Sequence, residues 1–102
     1  MELKKFQQLV KDYFDKNNIE PWNKFAILAR LEEEISEIGR IVSVDEGLRE
    51  EWKIDNMNRV DEFGDALFQL IHLANQMDVD IEEAVSHVLK KYSKYIESKG
   101  DE

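Results

Sequence analysis

The sequence contains no cysteine, a single proline and only four glycines. Without cysteine the chain can form neither disulfides nor thiolate zinc sites, and it fits a reducing compartment, so we expect a cytoplasmic protein. The amino-terminal residues mix charged and apolar side chains, which excludes a secretory signal or a membrane span there. The glycines are too scattered for a phosphate-binding loop or a dinucleotide fingerprint.

Acidic residues outnumber basic ones by 23 to 14, which gives a formal net charge of −9. Binding to a nucleic acid polymer relies on clustered lysine and arginine, so this charge argues against it. An acidic protein can still hold an anionic small molecule when a divalent cation lies between the two sets of negative groups.

The apolar residues recur with the spacing of helices, and no segment shows the period-two alternation of a half-buried strand. We therefore predict an all-α chain forming a single domain over residues 1–102. Pro21 suits the first turn of the second helix. Asp55 or Asn58 can cap the third helix and Asp80 the fourth. The four helices are predicted at about residues 2–17, 21–43, 56–77 and 80–97.

The third predicted helix contains ALFQLIHLA, which is apolar on nearly all sides. A helix of this kind is usually buried on more than one face. In a four-helix chain of this size, a second subunit is the natural source of the additional cover. We therefore expect a homo-oligomer, either a dimer or a tetramer.

Two pairs of carboxylates, each spaced three residues apart, lie in neighbouring predicted helices: Glu34 with Glu37, and Glu62 with Asp65. Glu34 flanks the apolar stripe of its helix, so it should be partly desolvated. In an antiparallel hairpin the two pairs would lie level with each other. Facing carboxylates repel unless cations lie between them, and oxygen ligands of this kind suit Mg²⁺ or Mn²⁺.

The same residues could instead form a solvated helix face with salt bridges, which needs no metal ion. Arg30 and Arg40 lie at helical spacings from the first carboxylate pair, as such a face requires. Gly64, inside the second pair, favours the metal hypothesis because glycine within a helix often marks close approach of another helix. Gly39 could have the same role.

The motif LEEEISE, followed later by EFGD, resembles the ExxE…ExxD signature of MazG-like nucleotide pyrophosphohydrolases. LANQMDVDIEEA is similar to the segment that usually follows this signature, and the resemblance covers about residues 22–95. The resemblance implies a four-helix subunit of a helical-bundle homo-oligomer. It also implies Mg²⁺-dependent hydrolysis of a nucleoside triphosphate to the monophosphate and pyrophosphate.

Residue by residue, the resemblance implies that the catalytic and metal-binding set is Glu34, Glu37, Glu62 and Asp65. Glu33 matches a neighbouring position that is commonly acidic in the family. These groups would hold metal ions that neutralise the triphosphate and would orient the water that attacks the α-phosphorus. Which of them acts as the general base is left open.

Many relatives carry an Asn-x-Lys-Phe-like run near the carboxyl end, followed by an arginine. Here Lys91 and Tyr92 match the lysine and phenylalanine, Leu89 replaces the asparagine, and Lys94 or Tyr95 stands for the arginine. Lys91 and Lys94 are thus candidate phosphate contacts. They could equally be ordinary cations near a helix carboxyl terminus.

Trp22 could stack on the nucleobase and Asn75 could meet the base or sugar, although a core tryptophan and a surface asparagine are the simpler explanations. Two other functions stay open at this point. The chain could be a non-catalytic acidic helical dimer that binds a basic protein partner, or a relative of phosphoribosyl-ATP pyrophosphatase.

Overall fold

The computed structural model describes residues 2–17, 19, 23–48 and 56–100. Four helices account for nearly all of them: α1 (Leu3–Lys16), α2 (Lys24–Asp45), α3 (Asn56–Gln76) and α4 (Ile81–Gly100). No strand occurs in this part of the chain, which confirms the all-α prediction. Within the same residues, no helix is both long and apolar enough to cross a membrane.

The start of α2 differs from the prediction. The side-chain oxygen of Asn23 accepts a hydrogen bond from the backbone N–H of Ala26 at 2.9 Å, so Asn23 is the N-cap and the helix begins at Lys24. The predicted start of this helix at about residue 21 was therefore three residues too early. Pro21 itself lies outside the described residues.

The starts of α3 and α4 settle two of the predicted caps. Asn58 lies inside α3 and so cannot be its cap, while Asp55 falls outside the described residues. Asp80 is confirmed as the cap of α4, because its carboxylate accepts a hydrogen bond from the backbone N–H of Glu83 at 3.1 Å.

The principal packing in the protomer joins α2 to α3. Asp45, at the end of α2, and Arg59, near the start of α3, fix one end of this hairpin through two parallel hydrogen bonds of 2.6 Å each. The Arg59 guanidinium also holds the pKa of Asp45 below its usual value through these bonds. The buried apolar side chains of these two helices, among the described residues, are Ile27, Leu31, Ile41, Ile71 and Ala74.

Helix α1 packs against α3 and also contacts α4. The Phe14 ring stacks on the His72 imidazole with ring centroids 3.7 Å apart and planes only 4° from parallel. The Phe68 ring lies 5.6 Å from the Phe14 ring and extends this cluster. His72 is 4% exposed, and its burial lowers the pKa of the imidazole, which disfavours the charged form of the ring.

A polar clamp centred on Gln7 ties α1 to the connection between α3 and α4. The Gln7 side-chain amide donates to the Asn75 side chain at 2.9 Å and to the Val79 carbonyl at 2.8 Å. Its oxygen accepts from the backbone N–H of Ile81 at 2.9 Å. This turn contains Asp78 at φ 56°, a left-handed conformation that aspartate tolerates better than most residues. The clamp therefore fixes the direction in which α4 leaves α3.

The protomer leaves much apolar surface uncovered. Its radius of gyration is 17.1 Å, whereas a compact domain of this length would have about 13 Å. Large apolar side chains are exposed along one face of α3 and toward the carboxyl end of α4. They include Val60, Phe63, Leu67, Leu89, Tyr92 and Ile96.

Gly39 and Gly64, each in the interior of a helix, do not mark close helix contact within the chain. A Cβ atom added at Gly39 or Gly64 would meet no other group within 4 Å. The expectation that either glycine admits a neighbouring helix within the subunit was therefore wrong.

Replacing Gln7 by alanine should destabilise the protein by about 1–3 kcal/mol, because the N–H of Ile81 and the side-chain oxygen of Asn75 lose their partner. Urea unfolding at a fixed protein concentration measures this. The control is Gln8→Ala, which removes an exposed bond to Asp12 within the same helix and should change the unfolding free energy by less than about 0.5 kcal/mol. Equal effects of the two substitutions would contradict the clamp.

Candidate metal centre

Three carboxylates from two helices lie together where α2 packs on α3. Glu34 comes from α2, and Glu62 and Asp65 come from α3. One oxygen of each lies within 4.8 Å of the others. The packing thus brings together three of the four residues proposed as metal ligands.

The burial of Glu34 follows from its position on α2. The buried residues of this helix are Ile27, Leu31, Glu34 and Ile41, and their spacings of four, three and seven keep them on one face. Glu34 therefore occupies a core position and is only 7% exposed. This confirms its predicted desolvation.

The other two carboxylates of the cluster lie progressively nearer to solvent. Glu62 is half-buried and Asp65 is exposed, one helical turn further along α3. The cluster is consequently closed on its Glu34 side and open on its Asp65 side. Water or an anionic ligand can approach from the open side.

The cluster raises the pKa of Glu34. Burial is the largest cause, the charge of Asp65 is the second, and Glu62 and Glu33 add to the same effect. Arg30 acts in the opposite direction, since its Nε lies 3.4 Å from Glu34 Oε1. In the absence of a metal ion, the surroundings of Glu34 therefore disfavour its charged form on balance.

Glu37 and Glu33 lie beside the cluster and are paired with arginines on the same helix. Arg40 Nε lies 3.3 Å from Glu37 Oε2, and Arg30 Nη1 lies 3.3 Å from Glu33 Oε2. Both glutamates are exposed. These pairs match the alternative of a solvated, salt-bridged helix face. A ligand role for Glu37 or Glu33 stays a prediction.

The predicted substrate-binding residues are spread over the molecule. Asn75 is joined to Gln7 and lies about 15 Å along α3 from Asp65. Lys91 and Lys94 are exposed on α4, where the Lys91 ammonium lies 5.3 Å from the centroid of the Tyr92 ring. Trp22 lies outside the described residues. The substrate contacts of all four stay predictions.

The donor set of the cluster fits a hard divalent cation. Mg²⁺ takes oxygen ligands at about 2.0–2.1 Å, so two ligands of one ion lie at most about 4.2 Å apart. The 4.8 Å span of the cluster is close to this limit, and rotation of the exposed Asp65 side chain can shorten it. With three carboxylates and one open side, Glu34, Glu62 and Asp65 suit Mg²⁺ or Mn²⁺ with waters or phosphate oxygens completing the shell.

Comparison with known protein families identifies the chain. The model of the MazG nucleotide pyrophosphohydrolase domain matches residues 23–96, a segment that includes all three carboxylates of the cluster. The chain belongs to the MazG family. The resemblance of the two acidic motifs to this family is thereby confirmed.

Individual relatives agree with this membership. YpjD, an uncharacterised protein of Bacillus subtilis strain 168, is 36% identical over 73 residues, which are 71% of this chain and 66% of YpjD. The chain therefore spans just under two thirds of that relative. The crystal structure of YpjD from Bacillus subtilis has a TM-score of 0.76 at 33% identity and covers 90% of this chain and 93% of its own.

A second solved structure has the same degree of similarity. The Bacillus-conserved MazG protein, a nucleotide pyrophosphohydrolase, has a TM-score of 0.76 at 29% identity, with 90% of each chain covered. The four-helix fold predicted from the family resemblance is thus confirmed.

Removing the charge of Glu34 should stabilise the metal-free MazG-family protein at pH 7. The folded-state pKa of Glu34 lies above the unfolded value, so its favourable contribution is present below the unfolded pKa and is lost as pH rises through the folded pKa. Glu34→Gln should therefore raise the Tm measured in EDTA at pH 7, and the gain should shrink as pH falls toward 4.5.

The matched control is Glu32→Gln, which neutralises an exposed carboxylate on the same helix. It should leave the pH dependence of Tm as in the wild type. A lower Tm for Glu34→Gln in EDTA at pH 7 would contradict the electrostatic description of the cluster.

Proposed function

We propose that this MazG-family protein hydrolyses a nucleoside triphosphate, with ribose or deoxyribose, to the monophosphate and pyrophosphate. We propose Mg²⁺ as its cofactor, with Mn²⁺ as a substitute. The observation that carries the proposal is the cluster of Glu34, Glu62 and Asp65, formed between α2 and α3 within the region matched to the pyrophosphohydrolase family.

In this proposal the three clustered carboxylates hold the cation, and Glu37 and Glu33 extend the same negative surface toward solvent. A divalent cation bound here would neutralise the triphosphate oxygens and make the α-phosphorus easier to attack. The carboxylates on the open side would orient the attacking water by accepting its hydrogen bonds. Glu34, anchored in the core, would fix the position of the whole set relative to both helices.

The net charge of −9 supports a cation-mediated site. A triphosphate would be repelled by the protein as a whole, so the attraction has to come from the metal ion and from nearby cations. Lys91 and Lys94 are proposed as additional phosphate contacts, and Trp22 as the aromatic group that stacks on the base.

We propose a homo-oligomer, a dimer or a tetramer, as the working form of the single domain over residues 1–102. The exposed apolar side chains of α3 and α4 and the radius of gyration of 17.1 Å support it. Two copies would cover these faces together, which one protomer does not do alone. We also propose a cytoplasmic location, in keeping with the absence of cysteine.

The proposed activity is tested by pyrophosphate release from a mixture of ribo- and deoxyribonucleoside triphosphates, with Mg²⁺ and with EDTA. Wild-type protein should release pyrophosphate only with Mg²⁺. Asp65→Ala should lower kcat/KM by more than about a hundredfold while keeping the helical circular dichroism, because one ligand of the cluster is lost.

The control is Asp12→Ala, the same substitution at an exposed position of α1 where the carboxylate accepts a bond from Gln8. It should retain full activity. If folded wild-type protein releases no pyrophosphate from any triphosphate, the proposed activity is refuted. A non-catalytic helical dimer that binds a basic partner would then account better for the acidic surface.

A further inference from the structure

Arg30 lies one helical turn before Glu34 and bridges two carboxylates. Its Nε is 3.4 Å from Glu34 Oε1, and its Nη1 is 3.3 Å from Glu33 Oε2. One planar guanidinium therefore lies within ion-pair distance of two different carboxylates, and its Nη1 also donates a hydrogen bond to Glu33. A lysine ammonium at the end of a flexible stem does not provide this fork.

The two partners of Arg30 differ in burial. The Glu34 side chain is 10% exposed, whereas that of Glu33 is 68% exposed and that of Arg30 is 48% exposed. The contact with Glu34 is consequently the stronger one, because a charge out of water has few other means of stabilisation. Arg30 thus partly compensates the most buried charge of the acidic cluster.

A divalent cation at the cluster would need the same Glu34 carboxylate. Positive charges repel, so a metal ion and the Arg30 guanidinium cannot both be held closely by this group at low cost. We propose that Arg30 is the resident counter-cation of the metal centre, which a divalent ion displaces from Glu34, and that this competition sets the metal affinity. This inference rests on the proposed function of the cluster.

Glu33 has a defined part in this exchange. When a metal ion displaces Arg30 Nε from Glu34, the contact between Arg30 Nη1 and Glu33 is retained. The guanidinium therefore stays beside the cluster and does not move into solvent. Glu33 would then act through Arg30 as a positioning residue and would not need to be a metal ligand. The neighbouring Arg40 pairs with Glu37, which lies outside the three-carboxylate cluster.

The test is calorimetric titration of the metal-free chain with Mn²⁺ alone at pH 7.5 and an ionic strength of about 0.15 M, where the Debye length is about 8 Å. Arg30→Gln should bind Mn²⁺ about two- to tenfold more tightly than the wild type, because the competing cation is gone. Arg30→Lys, which keeps the charge but loses the fork, should fall between them. Far-UV circular dichroism checks that each variant is folded.

The matched control is Lys24→Gln, which removes the same charge from the same helix about 15 Å along the axis from Glu34. At this distance the charge is largely screened, so the Mn²⁺ affinity should stay at the wild-type value. A gain in affinity equal to that of Arg30→Gln would mean a general charge effect and would overturn the inference.

A double-mutant cycle tests the part of Glu33. If Glu33 acts through Arg30, Glu33→Gln should weaken Mn²⁺ binding more in the wild type than in Arg30→Gln, where only the charge of Glu33 near Glu34 still matters. Equal weakening in both backgrounds would show that Glu33 acts independently of Arg30 and would overturn its positioning role.

The remaining outcomes separate the two proposals. Wild-type Mn²⁺ binding with an unchanged or weaker affinity in Arg30→Gln would overturn the competition while leaving the metal centre in place. Absence of Mn²⁺ binding in every folded variant would refute the metal centre itself, and the competition with it.

Discussion

Burying the Glu34 carboxylate beside Glu62 and Asp65 opposes folding, and the packing of α2 on α3 has to overcome this repulsion. Ile27, Leu31 and Ile41 do so by placing apolar surface on the same face of α2 as Glu34. The Asp45–Arg59 pair closes the end of the hairpin. The buried Glu34 carboxylate, which opposes folding, therefore lies within the contact between α2 and α3. This packing holds it in a fixed position.

In the proposed function, this arrangement would let an acidic protein act on an acidic substrate. A chain with a net charge of −9 would repel a triphosphate, but the acidic cluster would attract a divalent cation, which could then bind the phosphates. Arg30 provides a smaller compensation when no metal ion is present. Membership of the MazG family agrees with this proposal, and the graded exposure from Glu34 to Asp65 would leave one side of the cluster open to a substrate.

Local pattern in the sequence was enough to predict the helices and the desolvation of Glu34, because both depend on spacing within one helix. The separation of Glu37 from the cluster was not predictable in this way. The position of Glu37 depends on how α2 crosses α3 and on the ion pair that Glu37 forms with Arg40. The hydrogen bonds of the Gln7 clamp could not be predicted from local sequence either, because they join residues 68 or more positions apart. The start of α2 could have been predicted from the sequence, because asparagine is a common N-cap. The Asn23 side chain accepts a hydrogen bond from a backbone N–H that would otherwise lack a partner in the helix.

The central claim, that Glu34, Glu62 and Asp65 form one divalent metal site for a nucleoside triphosphate, is tested most directly by anomalous diffraction. Crystals would be grown with Mn²⁺ and a triphosphate analogue that resists hydrolysis. The account predicts a manganese peak within coordination distance of carboxylate oxygens from both α2 and α3, with phosphate oxygens on the Asp65 side. Manganese bound elsewhere, or a bound analogue with no manganese between these three residues, would contradict it.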